Sequence, residues 1–135
     1  MKKMMIRADD LGYSEAVNYG IEKSVKCGII NNVGFMVNME ASEHGYNLIK
    51  DCDVSLGCHT NICVGKPVCD PKLIPSITSG TEFKSSKEYR SSKEDFVVLE
   101  EVILEIEAQY QKFKQITGKE PDYFEGHAID SPNFI

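Results

Sequence analysis

Short apolar runs ending at polar, glycine-bearing breaks alternate along this chain with stretches that carry apolar residues at helical spacing. No other feature constrains the fold as much. Met4, Met5 and Ile6 lie in a run from Lys3 to Ala8 that stops at Asp9-Asp10-Leu11-Gly12, the pattern of a buried strand followed by a loop. Ser14 is placed to cap a helix carrying Ala16, Val17, Ile21 and Val25 on one side, and Gly28 is expected to end it in a left-handed conformation. Val33 to Val37 predicts a second buried strand. Ser42 opens a shorter helix through Ile49, interrupted by Gly45, and Val54 to Cys58 predicts a third strand ending at His59-Thr60-Asn61. Residues 62–92 lose periodicity and collect proline, glycine, serine and lysine, which reads as one long loop. Ser92 with Asp95 then forms a capping signature ahead of the strongest helix, whose apolar stripe is Phe96, Leu99, Val102, Ile103, Ile106, Tyr110 and Phe113. Gly118 and Pro121 end that helix, and Asp122 to Gly126 is a fourth strand running into His127.

Strands alternating with helices imply right-handed crossovers and a parallel sheet, so residues 1–135 read as a single α/β domain. The chain falls short of a complete eight-fold α/β barrel, which takes about 250 residues. Twenty-one acids against fifteen bases give a formal charge of −6, which repels a phosphate backbone and argues against nucleic acid as a partner. No run approaches the ~20 apolar residues of a membrane span, and Arg7 interrupts the start before a signal-type segment can form. A cytoplasmic protein away from membranes is the expectation. The five cysteines include no pair spaced by two residues, so reduced, mostly buried thiols are expected. Cys58 faces opposite to His59 along the third strand, and for Cys63 and Cys69 packing is expected over adventitious contact with a soft metal.

In parallel α/β folds the ligand site gathers at the carboxyl ends of the strands. Asp9 and Asp10 follow the first strand, His59 ends the third and His127 ends the fourth. An Asp-His-His set with open positions can hold a catalytic divalent ion, which brings a bound water toward a pKa of ~7 and polarises a carbonyl. Of two adjacent aspartates, one can ligate while the other serves as base. Each of these residues alone also fits an ordinary turn or hydrogen-bonding role; three separate elements meeting at one rim favour the metal reading. His44, in the weaker helix, reads as a surface residue.

The same residues resemble a family. Arg7-Ala8-Asp9-Asp10-Leu11-Gly12-Tyr13-Ser14, continuing through Val17-Asn18 and Gly20-Ile21, is similar to the opening motif of the YdjC-type carbohydrate deacetylases. Met36-Val37-Asn38, Leu56-Gly57-Cys58-His59-Thr60-Asn61 and Phe124-Glu125-Gly126-His127 resemble the family's next three strand-end motifs, in order. The resemblance implies a deformed (β/α) barrel, of which this chain is the N-terminal half, acting as a metal-dependent hydrolase that removes N-acetyl groups from amino sugars or chito-oligosaccharides. It implies Asp10, His59 and His127 as ligands of one divalent ion, magnesium or zinc, and Asp9 as the general base. Asn38, Thr60 and Asn61 would contact sugar or order the ligands, with the loop at 62–92 flanking the sugar groove.

Two departures accompany the resemblance. His127 is followed by Ala128-Ile129-Asp130-Ser131-Pro132, where many members carry further histidines, and the family's second half, with a later His-Pro-Gly stretch, is not present in these residues. The sequence therefore supplies a base and a metal set without an evident acid for the departing amine. The expected partners are a small carbohydrate and, as a homo-oligomer, further copies of the chain. The alternative reading is a non-catalytic fragment or assembly module that pairs through exposed sheet edges.

Overall fold

The elements run β1 (Arg7–Leu11), α1 (Glu15–Cys27), β2 (Asn32–Phe35), α2 (Ser42–Ile49), β3 (Ser55–Thr60), β4 (Thr78–Ser79), β5 (Glu82–Phe83), α3 (Ser86–Ser91), α4 (Leu99–Thr117) and β6 (Phe124–Gly126). They belong to a computed structural model that describes residues 4–129 and 131. β1, β2, β3 and β6 form a parallel sheet in that order, and β4 and β5 a small antiparallel hairpin. The α/β class and parallel sheet agree with the sequence. Among the described residues the sheet is open, with β1 and β6 at its edges.

The pleat sorts the strand residues onto two faces. Ala8, Leu11, Val33, Phe35, Leu56 and Cys58 meet Ile21, Ile49 and Phe113 of the helices in the main core. Arg7, Asp9, Asn32, Gly34, Gly57, His59, Tyr123 and Glu125 alternate with them and take the other face. One irregularity modifies this pattern. Asp10 adopts φ 69°, and the β1–β2 register shifts between Ala8 and Leu11. The bulge turns Asp10 away from the helices and returns Leu11 to the core, where it is fully buried.

Several sequence expectations are corrected. β1 begins at Arg7 and not at the Met4-Met5-Ile6 run, whose methionines are 75% and 74% exposed; Lys3 lies outside the described residues. The start follows pairing and not hydropathy, because Arg7 meets the first residue of β2, Asn32. β2 ends at Phe35, although Met36 and Val37 remain fully buried and the Met36 N–H donates to Leu11 O at 2.8 Å. Gly28 ends α1 at φ −114°, closing on Ser24 O without a left-handed turn, whereas Gly118 does end α4 left-handed at φ 72°. Ser14 caps α1 as expected, accepting from the Val17 N–H.

The segment 62–92 is not structureless. A 3-10 turn at Pro71–Leu73, the β4–β5 hairpin and α3 fold over a second core of Ile62, Ile74, Ile77, Phe83, Val97, Val102 and Ile129. The capping box lies at Ser85 and Glu88, ahead of α3, and not at Ser92 and Asp95. α4 starts later, at Leu99, without a side-chain cap. Its buried face also differs from the apolar stripe. Leu99 and Ile103 are exposed, while Val102, Glu105, Gln109 and Phe113 are buried.

Glu105 and Gln109 are wholly buried because they tie α4 to the chain beyond β3. Glu105 accepts from the Val68 N–H at 2.9 Å, the Cys69 N–H at 3.0 Å and Gln109 Nε2 at 2.7 Å. Gln109 Nε2 also donates to Asn61 O at 2.6 Å, and its Oε1 accepts from the Asn61 N–H at 3.0 Å. Glu105→Ala strands three donors away from water, and a loss of about 3 kcal/mol in unfolding free energy is expected. A lowered urea midpoint at unchanged slope checks this, with Glu105→Gln losing less.

Candidate metal centre

Three elements deliver the expected ligand set to one point. Asp10 comes from the β1 bulge, His59 from β3, and His127 from the residue after β6, whose N–H donates to Thr60 O at 2.8 Å. Asp10 and Ala128 are the two non-glycine residues with positive φ among the described residues, at 69° and 45°, and both border this point. Backbone strain of this kind persists where the surrounding structure enforces it. Asp10 Oδ1 lies 3.2 Å from His59 Nε2 and 3.1 Å from His127 Nδ1, and the two nitrogens are 3.0 Å apart. The imidazoles meet edge to face at 85°.

This donor set fits a divalent cation. Asp10 Oδ1 is buried and makes no hydrogen bond of good geometry, although two ring nitrogens face it. An anionic oxygen orphaned between two imidazoles is what a cation would satisfy. Burial lowers both histidines below their ordinary value, against the opposing pull of Asp9 and Asp10 on His59 and chiefly Asp10 on His127. Ligation needs that neutral form. No cysteine joins these donors: Cys58 packs in the core on the opposite face, and burial raises the Cys63 thiol to about 11 and the Cys69 thiol to about 12.

A second group shares His59. Asp9, His59 and Glu125 also bring donor atoms within 4.8 Å of one another. Arg7 sits across it, with Nε 2.6 Å from Asp9 Oδ1 and Nη2 2.5 Å from Glu125 Oε2. Glu125 pairs in register with His59, and its Oε1 lies 3.1 Å from His59 Nδ1. Burial and the neighbouring Asp9 carboxylate raise Glu125 to about 7. Gly34 makes this crowding possible, because a Cβ there would run into Glu125 Oε1 and Asp9 Oδ1. Sequence reasoning passed over Arg7, Gly34 and Glu125. Period-two reading would have found Arg7 and Glu125, since they share strand parity with Asp9 and His59.

The three rim residues expected at the substrate are buried and bonded. Asn38 Nδ2 donates to Val64 O at 3.0 Å and Lys66 O at 3.1 Å, and its Oδ1 accepts from Asn61 Nδ2 at 3.1 Å. Asn61 Oδ1 accepts from the Cys63 and Val64 N–H groups, and Thr60 Oγ1 donates to Glu125 O at 2.7 Å. Beside them opens a cavity of about 220 Å³ lined by Tyr13, Asn38, Met39, Glu40, Lys66 and Glu82, among others. Asn18 was likewise unassigned. It is fully buried, accepts from the Gly12 N–H at 2.7 Å, and donates to Ala41 O. Gly45 gives it the room that any Cβ would take. His44 is half-buried and not a plain surface residue, its Nδ1 3.0 Å from Asn18 Nδ2.

The family described as YdjC-like protein matches residues 3–131. A carbohydrate deacetylase 2 of Listeria innocua is 32% identical over 133 residues, which cover 96% of this chain and 51% of the relative. A chitooligosaccharide deacetylase of Salmonella paratyphi B is 30% identical, over 92% of this chain and 48% of the relative. In three dimensions the chain is similar to an Enterococcus faecalis V583 protein assigned, provisionally, to cellobiose-phosphate cleavage. The TM-score is 0.81 at 25% identity, covering 91% of this chain and 47% of that one. The chain thus spans about half the length of the relatives it matches. No helix among the described residues is long and apolar enough to cross a membrane.

The raised Glu125 value sets a pH dependence for the chelator-treated protein. Its ordinary value is 4.5, so the contribution is fully present below that pH and is lost as pH rises through about 7. The buried histidines act oppositely, losing their contribution as pH falls below the ordinary 6.5. Glu125→Gln removes the first effect, so its stability relative to the parent is expected to rise between pH 5 and pH 8. Urea denaturation at the two pH values checks this, and an unchanged difference would show that the carboxyl does not titrate there.

Proposed function

Because the chain belongs to the YdjC-like family, we propose that it carries the metal and base half of a carbohydrate N-deacetylase site, acting on N-acetylated amino sugars or chito-oligosaccharides. The observation that carries this reading is the convergence of Asp10, His59 and His127 beside the Asp9 carboxylate, which Arg7 holds. The substrate class follows the two deacetylases to which the chain is similar. On this reading the sheet is the N-terminal half of a deformed (β/α) barrel, in keeping with the 47% coverage of the solved neighbour.

Asp10 Oδ1, His59 Nε2 and His127 Nδ1 would hold one divalent ion, magnesium or zinc. When bound, the ion supplies Lewis acidity toward the amide carbonyl and the attacking water. Asp9 takes the proton from that water. Its side chain is 43% exposed, open to a substrate at the rim, and Arg7 fixes its orientation at 2.6 Å. Asn38, Thr60 and Asn61 order the rim through the bonds described above. The 220 Å³ cavity takes the neighbouring sugar ring, with Tyr13 offering an aromatic face and Lys66, Glu40 and Glu82 offering polar contacts. A cytoplasmic setting and a homo-oligomer belong to the same proposal. The alternative, an assembly module, has its support in β1 and β6, each with a neighbouring strand on one side only among the described residues.

Acetate release from N,N′-diacetylchitobiose, with and without added magnesium or zinc, tests the reading. The protein is expected to bind one divalent ion per chain, and the His59→Ala, His127→Ala double variant none. Asp9→Asn is expected to keep the ion while losing roughly 10²- to 10⁴-fold in turnover. Tyr13→Ala is expected to raise KM more than it lowers kcat. A parent chain that neither binds metal nor releases acetate, and that self-associates, supports the assembly reading instead.

A further inference from the structure

Two buried polar atoms near the centre have no good hydrogen bond, and they face each other. His59 Nδ1 and Glu125 Oε1 lie 3.1 Å apart, and both are orphaned. His59 is 4% exposed, so its ring has little access to bulk water. Were Nδ1 to carry its lone pair, two acceptors would confront each other out of water, an arrangement that costs free energy on both sides. With Glu125 ionised, a proton on Nδ1 removes that conflict, because an ionised carboxylate oxygen only accepts. A neutral imidazole has one such proton, so Nε2 keeps its lone pair, and in the ion-free protein the donor that side needs is His127 Nδ1–H, 3.0 Å from His59 Nε2 and 3.1 Å from Asp10 Oδ1.

We propose that Glu125, anchored by Arg7, is the positioning residue that fixes the tautomer of His59 and thereby presents Nε2 to the ion. Arg7 completes the device. Its Nη2 engages Glu125 Oε2, leaving Oε1 for the imidazole, and its Nε engages Asp9 Oδ1. One guanidinium therefore sets the directions of two carboxylates that would otherwise repel. Gly34 beneath them has no side chain to displace Glu125 from His59. A ligating histidine whose other ring nitrogen donates to a carboxylate is held in orientation and made a better donor to the metal. The role of Nε2 rests on the metal reading above, whereas the tautomer itself does not.

Two-bond ¹H–¹⁵N spectra of the chelator-treated, ¹⁵N-labelled protein at pH 8 read the tautomer directly. The parent is expected to show His59 protonated at Nδ1. Glu125→Ala is expected to shift it to a mixture or to the Nε2–H form, and Glu125→Gln, which keeps an acceptor oxygen, is expected to preserve it. Arg7→Met removes the anchor from outside the contact and is expected to weaken the preference. Binding of Mn²⁺ or Zn²⁺, measured by calorimetry, should fall about 10- to 100-fold in Glu125→Ala and less in Glu125→Gln. A parent His59 protonated at Nε2 overturns the proposal even if no variant folds, as does a Glu125→Ala protein with unchanged tautomer and affinity. A parent with the Nδ1–H form that binds no ion leaves this assignment standing and removes the metal reading.

Discussion

The site depends on strand parity. In a pleated sheet each residue commits its neighbours to the opposite face, so one face can be given to a core and the other to chemistry only if the sequence keeps step along every strand. Here Val33, Phe35, Leu56 and Cys58 keep step on the helical side, while Asp9, His59 and Glu125 keep step on the other. Glycine holds the crowded positions. Gly34 lies under Glu125 and Asp9, and Gly57 lies under the ring of Tyr123, where a side chain would collide. The central strands thus surrender two side chains so that their neighbours can meet.

Much of this was legible in the sequence, for identifiable reasons. Alternating strands and helices, the Ser14 cap and the Gly118 terminus express local rules that tertiary packing left intact. Asp10, His59 and His127 could be placed together because strand ends in a parallel sheet converge whatever their exact bounds. What failed depended on partners distant in sequence. Met4 and Met5 look like a strand, but pairing with Asn32 decides where β1 starts. Glu105 and Gln109 look like solvated helix residues, and they are buried because backbone groups of Asn61, Val68 and Cys69 need them. Glu125 was hidden by the prominence of His127 two residues later.

The region after β3 links both halves of this description. It carries its own core, and its first turn is bound to α4 through Gln109 and to the end of β2 through Asn38 and Asn61. The strand ends are therefore not free loops but a braced rim. Its buried polar side chains mostly hold backbone, which leaves Tyr13, Glu40, Lys66 and Glu82 exposed at the adjoining cavity. Rigidity of this kind suits a centre whose donor atoms must lie within a few tenths of an ångström of their working positions.

The bulge at Asp10 has a consequence for which residues this position can accept. A left-handed backbone conformation is readily adopted by glycine and, with a modest penalty, by asparagine and aspartate, whose short side chains bond locally. Of those three, aspartate alone brings a carboxylate to the imidazoles. Glutamate, equal in charge, is disfavoured by the main chain, at a cost of about 1–2 kcal/mol, and not by its chemistry. Two independent requirements, one conformational and one chemical, therefore both favour aspartate at position 10.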